Sequence, residues 1–277
     1  MPARLHPADL ALLGPELDED PRAGRFEVRA GLVRHDGALY GGTGLAVSVL
    51  AMQAATGREV LWATTQFVSQ PRMGAVVDWT AEVLAEGKRS SQVQVRASSD
   101  GTPTFVAIGS AGVHAADGLA GQYRTMPRVA GPESSARRET FANLPNPDSY
   151  TKQIELREAD LLEPGPDVAI WVRRRDGAPF TPAGLAFAAD FVPLAIARAA
   201  QKVGAGSSLD NSMRFRGGHA DGWVLLELHG DLAAGGYGHG TVLVWSAAGE
   251  LLATGSQTAA MRYLWDEGEE PKLPGGG

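Results

Sequence analysis

The sequence predicts an α+β fold built from two copies of one unit, in which a strand precedes an apolar helix and several antiparallel strands follow it. Three observations predict this fold. The same order of elements occurs twice, identical residues recur 148 positions apart, and each copy has one apolar helix among alternating strand patterns. A helix that is apolar on every side needs to be buried all round, which a sheet wrapped around it provides.

In the first copy, strand patterns flank a single helix. The run from Leu45 to Met52 is apolar apart from Ser48, so the helix predicted over 42–55 has no polar face. Polar and apolar residues alternate most clearly from Gln92 to Ala97, as in a strand with one buried face. The predicted strands are 25–34, 60–68, 76–86, 91–97 and 104–113.

The second copy repeats this order. It has a strand over 168–174, a helix from about Asp190 to Lys202, and strands over 208–216, 222–229, 240–246 and 251–261. Identical residues separated by 148 include a phenylalanine pair (67 and 215), a serine pair (98 and 246) and glycine pairs at predicted turns (74 and 222, 87 and 235, 101 and 249). A fixed offset that also preserves element order indicates a duplication.

The segment from 117 to 150 contains many prolines and glycines and little apolar periodicity, so it predicts a linker. We therefore expect an N-terminal repeat over 20–116 and a C-terminal repeat over 151–265.

Composition excludes several classes of function. A formal net charge of −7 argues against nucleic acid or an anionic membrane surface as the main partner. The absence of cysteine excludes disulfides, thiolate metal sites and cysteine nucleophiles. The six histidines lack paired-ligand spacing, and the glycine clusters lack the Lys-Ser/Thr of a phosphate loop, so we expect neither a metal nor a cofactor. No leader or membrane segment is recognisable, and a cytoplasmic protein is expected.

Three polar residues occur in the second copy where the first copy has apolar residues or glycine. They are Asp190, Ser208 and Gln257, whose counterparts 148 positions earlier are Gly42, Val60 and Gly109. Polar groups kept in only one copy predict one working site, in the second repeat. A simpler interpretation remains for each residue. Asp190 would serve as a helix N-cap, and Ser208 and Gln257 would be strand residues that face water.

The same positions carry a resemblance to a known family. In the second copy it lies in Asp190-Phe191, in the run from Ser208 to Phe215, and in Ser256-Gln257 followed by Met261-Arg262. In the first copy it lies in Tyr40-Gly41-Gly42, in Thr65-Gln66-Phe67 and in the run from Glu86 to Ser90. Over about residues 25–262, the chain resembles the acyl-CoA thioesterase II family.

The resemblance implies a double-hotdog fold that hydrolyses acyl-CoA thioesters to a free acid and coenzyme A. It implies that Asp190, Ser208 and Gln257 form the hydrogen-bonded set that holds and activates water. The expected partner is an acyl-CoA substrate, without nucleic acid or membrane, and pairing into a homo-oligomer is one possibility. The chain departs from the family's usual histidine, tryptophan and glutamate at Asn211, Arg214 and Thr258, respectively. These departures bear on the choice of substrate.

Two alternatives to hydrolysis stay open at this point. One is a double-hotdog protein that binds acyl-CoA or a similar lipid-like ligand without cleaving it. The other is an enoyl-CoA hydratase, but that class is expected to carry an Asp and a His before its helix, and neither 41–45 nor 190–195 contains a histidine. If the ligand is acyl-CoA, we expect basic residues such as Arg214 or Arg216 to meet its phosphates.

Overall fold

The computed structural model describes residues 5–115, 117–138 and 147–266. Its helices are α1 (Pro7–Leu13), α2 (Gly41–Thr56), α3 (Pro182–Ala188) and α4 (Val192–Ala199). The strands of the first half are β1 (Glu16–Leu17), β2 (Ala23–Glu27), β3 (Glu59–Phe67), β4 (Val76–Glu86), β5 (Ser90–Ser99) and β6 (Thr102–Gly112). Those that follow are β7 (Ala136–Arg138), β8 (Ile154–Glu158), β9 (Val168–Arg174), β10 (Val203–Phe215), β11 (Val224–Ala234), β12 (Tyr237–Ser246) and β13 (Leu251–Trp265).

These strands form one continuous sheet in the order β1-β2-β4-β5-β6-β3-β10-β13-β12-β11-β9-β8-β7. Read outward from the centre, the order β3-β6-β5-β4-β2 in the first half is repeated as β10-β13-β12-β11-β9 in the second. The halves join where β3 pairs antiparallel with β10. This arrangement confirms the α+β fold with two strand–helix–strands repeats.

The duplication is also visible in the strand register. Ala63 pairs with Gly109 in the first half, and Asn211 pairs with Gln257 in the second, so both members of the pair are shifted by 148. A β-bulge between Val60 and Trp62 recurs between Ser208 and Asp210. Because a bulge is a local irregularity, its recurrence at the same offset indicates that the halves are copies of one unit.

The central helix of the first half is buried as expected. Every residue of α2 from Gly42 to Met52 is buried, and the left-handed conformation of Gly57 ends the helix. In the second half the helix is broken, which the sequence did not predict. The predicted helix from about Asp190 corresponds to α4, which begins at Val192, whereas α3, which begins at Pro182, was not predicted. Asp190 itself lies in the short connection between α3 and α4.

The stretch Pro182–Ala199 is apolar and long enough to pass for a membrane span by composition. In this fold it comprises both α3 and α4 and is 83% buried. It is therefore accounted for as core helix.

Part of the predicted linker packs on the outer face of the second half. Met126 and Val129 contact a small apolar cluster, separate from the main core, that includes Trp171 and Trp245. The Trp171 indole N–H also donates to the carbonyl of Ala130 at 2.8 Å. The division into 20–116, 117–150 and 151–265 stays a prediction. Residues 139–146 of the linker lie outside the described residues.

Candidate active site

Asp190 lies between α3 and α4, where three hydrogen-bond donors from different elements converge on its carboxylate. The backbone N–H of Gly42, in α2, donates to Oδ2 at 2.8 Å. The side-chain amides of Asn211 and Gln257 donate to Oδ1 at 3.1 and 2.5 Å. Asp190 is not a helix cap, since the N-cap of α4 is Phe191. The N-cap alternative is therefore removed.

Gln257 joins Asp190 to Ser208. Its side chain on β13 is fully buried, and Nε2 donates both to Asp190 Oδ1 and to Ser208 Oγ, the latter at 2.6 Å. A carboxylate can only accept hydrogen bonds, so it requires the NH₂ end of the amide to face it. The amide oxygen, Oε1, is left buried with no partner among the described residues. The three residues expected from the sequence thus lie together.

A bulge at Leu209 turns Ser208 toward Gln257. Successive strand residues face opposite sides, so Ser208 and Asn211 would lie on opposite faces of a regular strand. The bulge adds one residue, Leu209, and restores Ser208 to the inner face. The Asp210 carboxylate accepts the Thr258 backbone N–H at 2.9 Å beside the bulge, which satisfies a donor there.

The protonation of Asp190 is set by opposing effects. Burial raises its pKa, whereas the hydrogen bonds from Gln257, Asn211 and Gly42 and the positive charge of Arg34 lower it. Burial prevails, and the pKa of Asp190 is raised to about 6. A carboxyl group with this pKa is ionised at neutral pH and basic enough to accept a proton during a reaction.

The first copy contributes backbone to this site. A Cβ at Gly41 would lie 2.5 Å from Asp190 Oδ2, so only glycine allows the carboxylate to approach the start of α2 so closely. A Cβ at Gly42 would meet the ring of Tyr40. Tyr40 stacks on Tyr150 with ring centroids 4.5 Å apart, and both rings contact Phe191, next to Asp190 in the chain.

The corresponding place in the first copy holds no polar set. Gly109, the counterpart of Gln257, faces the side chain of Met52, and Val60, the counterpart of Ser208, is fully buried. Within the part of the chain that the structure describes, no cluster of three or more His, Asp or Glu side chains is arranged to hold a metal ion.

The structure adds two groups that sequence reasoning missed. Asn211 stood out only as a departure from a family pattern, although it pairs with Gln257 and bonds to Asp190. The Gly42 N–H is a backbone group, for which no side-chain pattern exists. The expectation that Arg214 or Arg216 meets the phosphates of acyl-CoA stays a prediction. Both side chains are exposed; Arg214 lies on the face opposite Asn211, and Arg216 pairs with Glu250 at 3.1 Å.

Comparison with known proteins identifies the family. Residues 32–112 match the acyl-CoA thioesterase N-terminal domain, and residues 127–261 match the acyl-CoA thioesterase C-terminal domain. The chain belongs to the acyl-CoA thioesterase family. It is a thioester hydrolase, which decides against the hydratase and non-catalytic alternatives.

Solved structures agree with this assignment. A candidate thioesterase from Novosphingobium aromaticivorans is 33% identical, with a TM-score of 0.80 and coverage of 89% of this chain and 98% of that one. The acyl-CoA thioesterase II TesB2 of Mycobacterium marinum is 23% identical, with a TM-score of 0.72 and coverage of 92% and 98%. A hot dog protein of Alicyclobacillus acidocaldarius is 19% identical, with a TM-score of 0.76 and coverage of 93% and 98%. The fold is thus a double hotdog. No curated protein matches the chain.

Proposed function

We propose that this thioesterase hydrolyses fatty acyl-CoA by direct attack of water, with Asp190 as the general base. The observation that carries the proposal is the convergence of Gln257 and Asp190, whose Nε2 and Oδ1 atoms lie 2.5 Å apart. Ser208 bonds to the same amide nitrogen. A carboxylate of raised pKa and a fixed amide are the groups that a water nucleophile needs.

Two acceptors are available for the protons of the attacking water. Asp190 takes one proton, and Gln257 Oε1, which has no partner in the described part of the chain, accepts a hydrogen bond from the other O–H. This arrangement leaves an oxygen lone pair directed at the thioester carbonyl carbon. Ser208 Oγ, which accepts from Gln257, keeps the amide from rotating.

The start of α2 is the proposed site for the carbonyl oxygen. Gly41 is the first residue of this 16-residue helix, and its N–H makes no hydrogen bond among the described residues. Helix N-termini carry partial positive charge and stabilise a developing oxyanion. The start of α4 fits this role less well, since Pro193 in its first turn has no N–H.

The reaction then balances without a cofactor. Water forms a C–O bond with the acyl carbon, and its proton passes to Asp190. The tetrahedral intermediate breaks its C–S bond, and the proton returns from Asp190 to the departing sulfur. The products are the carboxylic acid and coenzyme A.

The test is release of free thiol from a series of acyl-CoA thioesters of increasing chain length, assayed with the native protein and with Asp190→Asn. We expect hydrolysis of fatty acyl-CoA and a kcat about 10²–10⁴-fold lower in the variant, the range for a lost general base. Native circular dichroism in Asp190→Asn is the control for folding. Full turnover by this variant would remove Asp190 from the reaction, and hydrolysis of non-fatty thioesters alone would reject the substrate class.

A further inference from the structure

We propose that Asn211 is a positioning residue, whose side-chain amide holds the Asp190 carboxylate in place and in its charged form. The inference rests on the proposed role of Asp190. Asn211 Nδ2 lies 3.1 Å from Asp190 Oδ1, and the residue is only 1% exposed. Asn211 would affect the reaction only through its hydrogen bond to Asp190.

The backbone of Asn211 is fixed on both sides. It lies on β10, opposite Gln257 of β13 on one side and opposite Thr65 of β3 on the other. A residue inside a strand that is paired on both edges cannot shift without disturbing two ladders. The amide therefore approaches Asp190 from a rigid support, at the strand pair that joins the two repeats.

The two amide donors and the backbone donor bind different oxygens of the carboxylate. Asn211 and Gln257 both donate to Oδ1, and Gly42 donates to Oδ2. Without Asn211, Oδ1 depends on Gln257 alone, whose Nε2 is shared with Ser208. Among the described residues, the Asn211 amide thus donates to Oδ1 without also donating to another group, unlike the Gln257 amide.

An amide also adds no titration of its own. Among the described residues, a charged group near Asp190 is Arg34, from the loop before α2, which is bound to Asp36. Burial raises the pKa of Tyr40, at the start of α2, and of Tyr150, from the turn at 150–152, which keeps both phenols neutral. His35 lies behind Tyr150, with its Nε2 3.3 Å from the Tyr150 hydroxyl, and burial lowers its pKa, which favours the neutral ring. On β10 and β13, the groups facing Asp190 are the neutral amides. The amides that face Asp190 therefore bring no charge of their own to its titration.

The test compares Asn211→Leu, which has a similar size and no donor, with Ser212→Ala as a matched control. Ser212 is the next residue, faces the other side of the sheet and bonds to Thr64 across the two halves. Two readouts are measured from pH 5 to 9: kcat and KM for acyl-CoA, and the ¹³C chemical shift of the Asp190 carboxyl carbon.

We expect Asn211→Leu to move the titration midpoint of Asp190 upward by about one pH unit, because a donor to the charged form is lost. At pH 6.5, kcat should fall about tenfold, recover above pH 8 to within about threefold of native, and leave KM nearly unchanged. Ser212→Ala should leave the midpoint in place. A merely structural Asn211 would lower activity equally at all pH values.

An unchanged carboxyl midpoint in folded Asn211→Leu would overturn the inference. If that variant does not fold, Asn211→Ala carries the same expectation with a smaller side chain. The chemical shift separates this inference from the proposed function. A midpoint that moves while the kcat profile does not would uphold Asn211 as a positioning residue and reject Asp190 as the base.

Discussion

Thr64 and Ser212 touch each other across the strand pair that joins the halves, with their hydroxyl oxygens 2.5 Å apart. They are paired residues on β3 and β10, and they are also equivalent positions of the two copies, 148 residues apart. Equivalent residues meet only at a twofold axis, so the internal pseudo-twofold axis passes between them. Gly42 and Asp190 are likewise 148 apart and in contact. The Asp190 carboxylate thus faces Gly42, the residue at the equivalent position of the first copy.

The pKa of Asp190, raised to about 6, predicts how activity depends on pH. Below pH 6 the carboxyl group is protonated and cannot accept a proton, so kcat/KM should fall about tenfold per pH unit. The measurement is kcat/KM against pH at constant ionic strength. An acid limb centred near pH 4, the range of an ordinary Asp, would contradict the structure.

The free energy of unfolding should change with pH in the opposite sense to kcat/KM. The folded state binds the Asp190 proton more tightly than the unfolded chain does, so its contribution to the free energy of unfolding increases as pH falls from about 6 toward 3.8. Asp190→Asn removes this titration. Comparing urea unfolding of native protein and variant at pH 5 and pH 7 isolates the contribution, and an equal stability difference at both values would argue against it.

Ser208 and Ser207 offer a matched pair. They are adjacent on β10 and face opposite sides, and only Ser208 accepts the Gln257 amide. We expect Ser208→Ala to lower kcat about 10-fold to 100-fold, because Gln257 loses a partner that orients it. Ser207→Ala should keep near-native kcat. Equal losses in steady-state assays of the two variants would show that the hydroxyl of Ser208 has no special part.

Gly41 and Gly184 form a second pair. A Cβ at Gly41 would collide with Asp190 Oδ2, whereas a Cβ at Gly184 in α3 would meet neighbours at an ordinary 3.5 Å or more. Gly41→Ala should displace the carboxylate and lower kcat at least tenfold. Gly184→Ala should retain activity and raise the melting temperature, since alanine favours helix over glycine. Native kcat in Gly41→Ala would mean that the approach of Asp190 to α2 is not needed.

Gln257→Ala tests whether one chain holds one site. The first copy has Gly42, Val60 and Gly109 at the corresponding positions, so no second set can compensate. We expect turnover to fall by more than 99%, because groups that act as a unit are lost together. Titration with a non-hydrolysable acyl-CoA analogue should reach complete inhibition at one equivalent per chain. A variant that retains half its rate would indicate a second working site.

The sequence predicted the repeat and the three polar residues because both leave marks on residue identity. The offset of 148 placed Asp190, Ser208 and Gln257 in one copy, and the structure brings them together. The helix expected near Asp190 corresponds to α4, but α3 escaped prediction because the offset maps Asp190 onto Gly42, near the start of α2. The site was therefore expected at the start of one helix and lies in the connection between two.

Other features could not be predicted because they depend on register and backbone. The bulge at Leu209 reverses the face of every residue before it, so alternation alone assigns Ser208 to the wrong side relative to Asn211. The face of Arg214 could not be predicted for a related reason: proximity to Ser208 along the chain does not tell which face of the sheet a side chain occupies.

The hydrogen bond from Gly42 to Asp190 means that the second copy alone does not hold the complete site. A gene encoding only residues 151–265 would supply the carboxylate, the hydroxyl and both amides, yet its product would lack the N–H that holds Oδ2. It would also expose the edge of β10 that β3 covers. The proposed reaction therefore needs backbone from both copies, although the first copy has glycine at the position of the carboxylate.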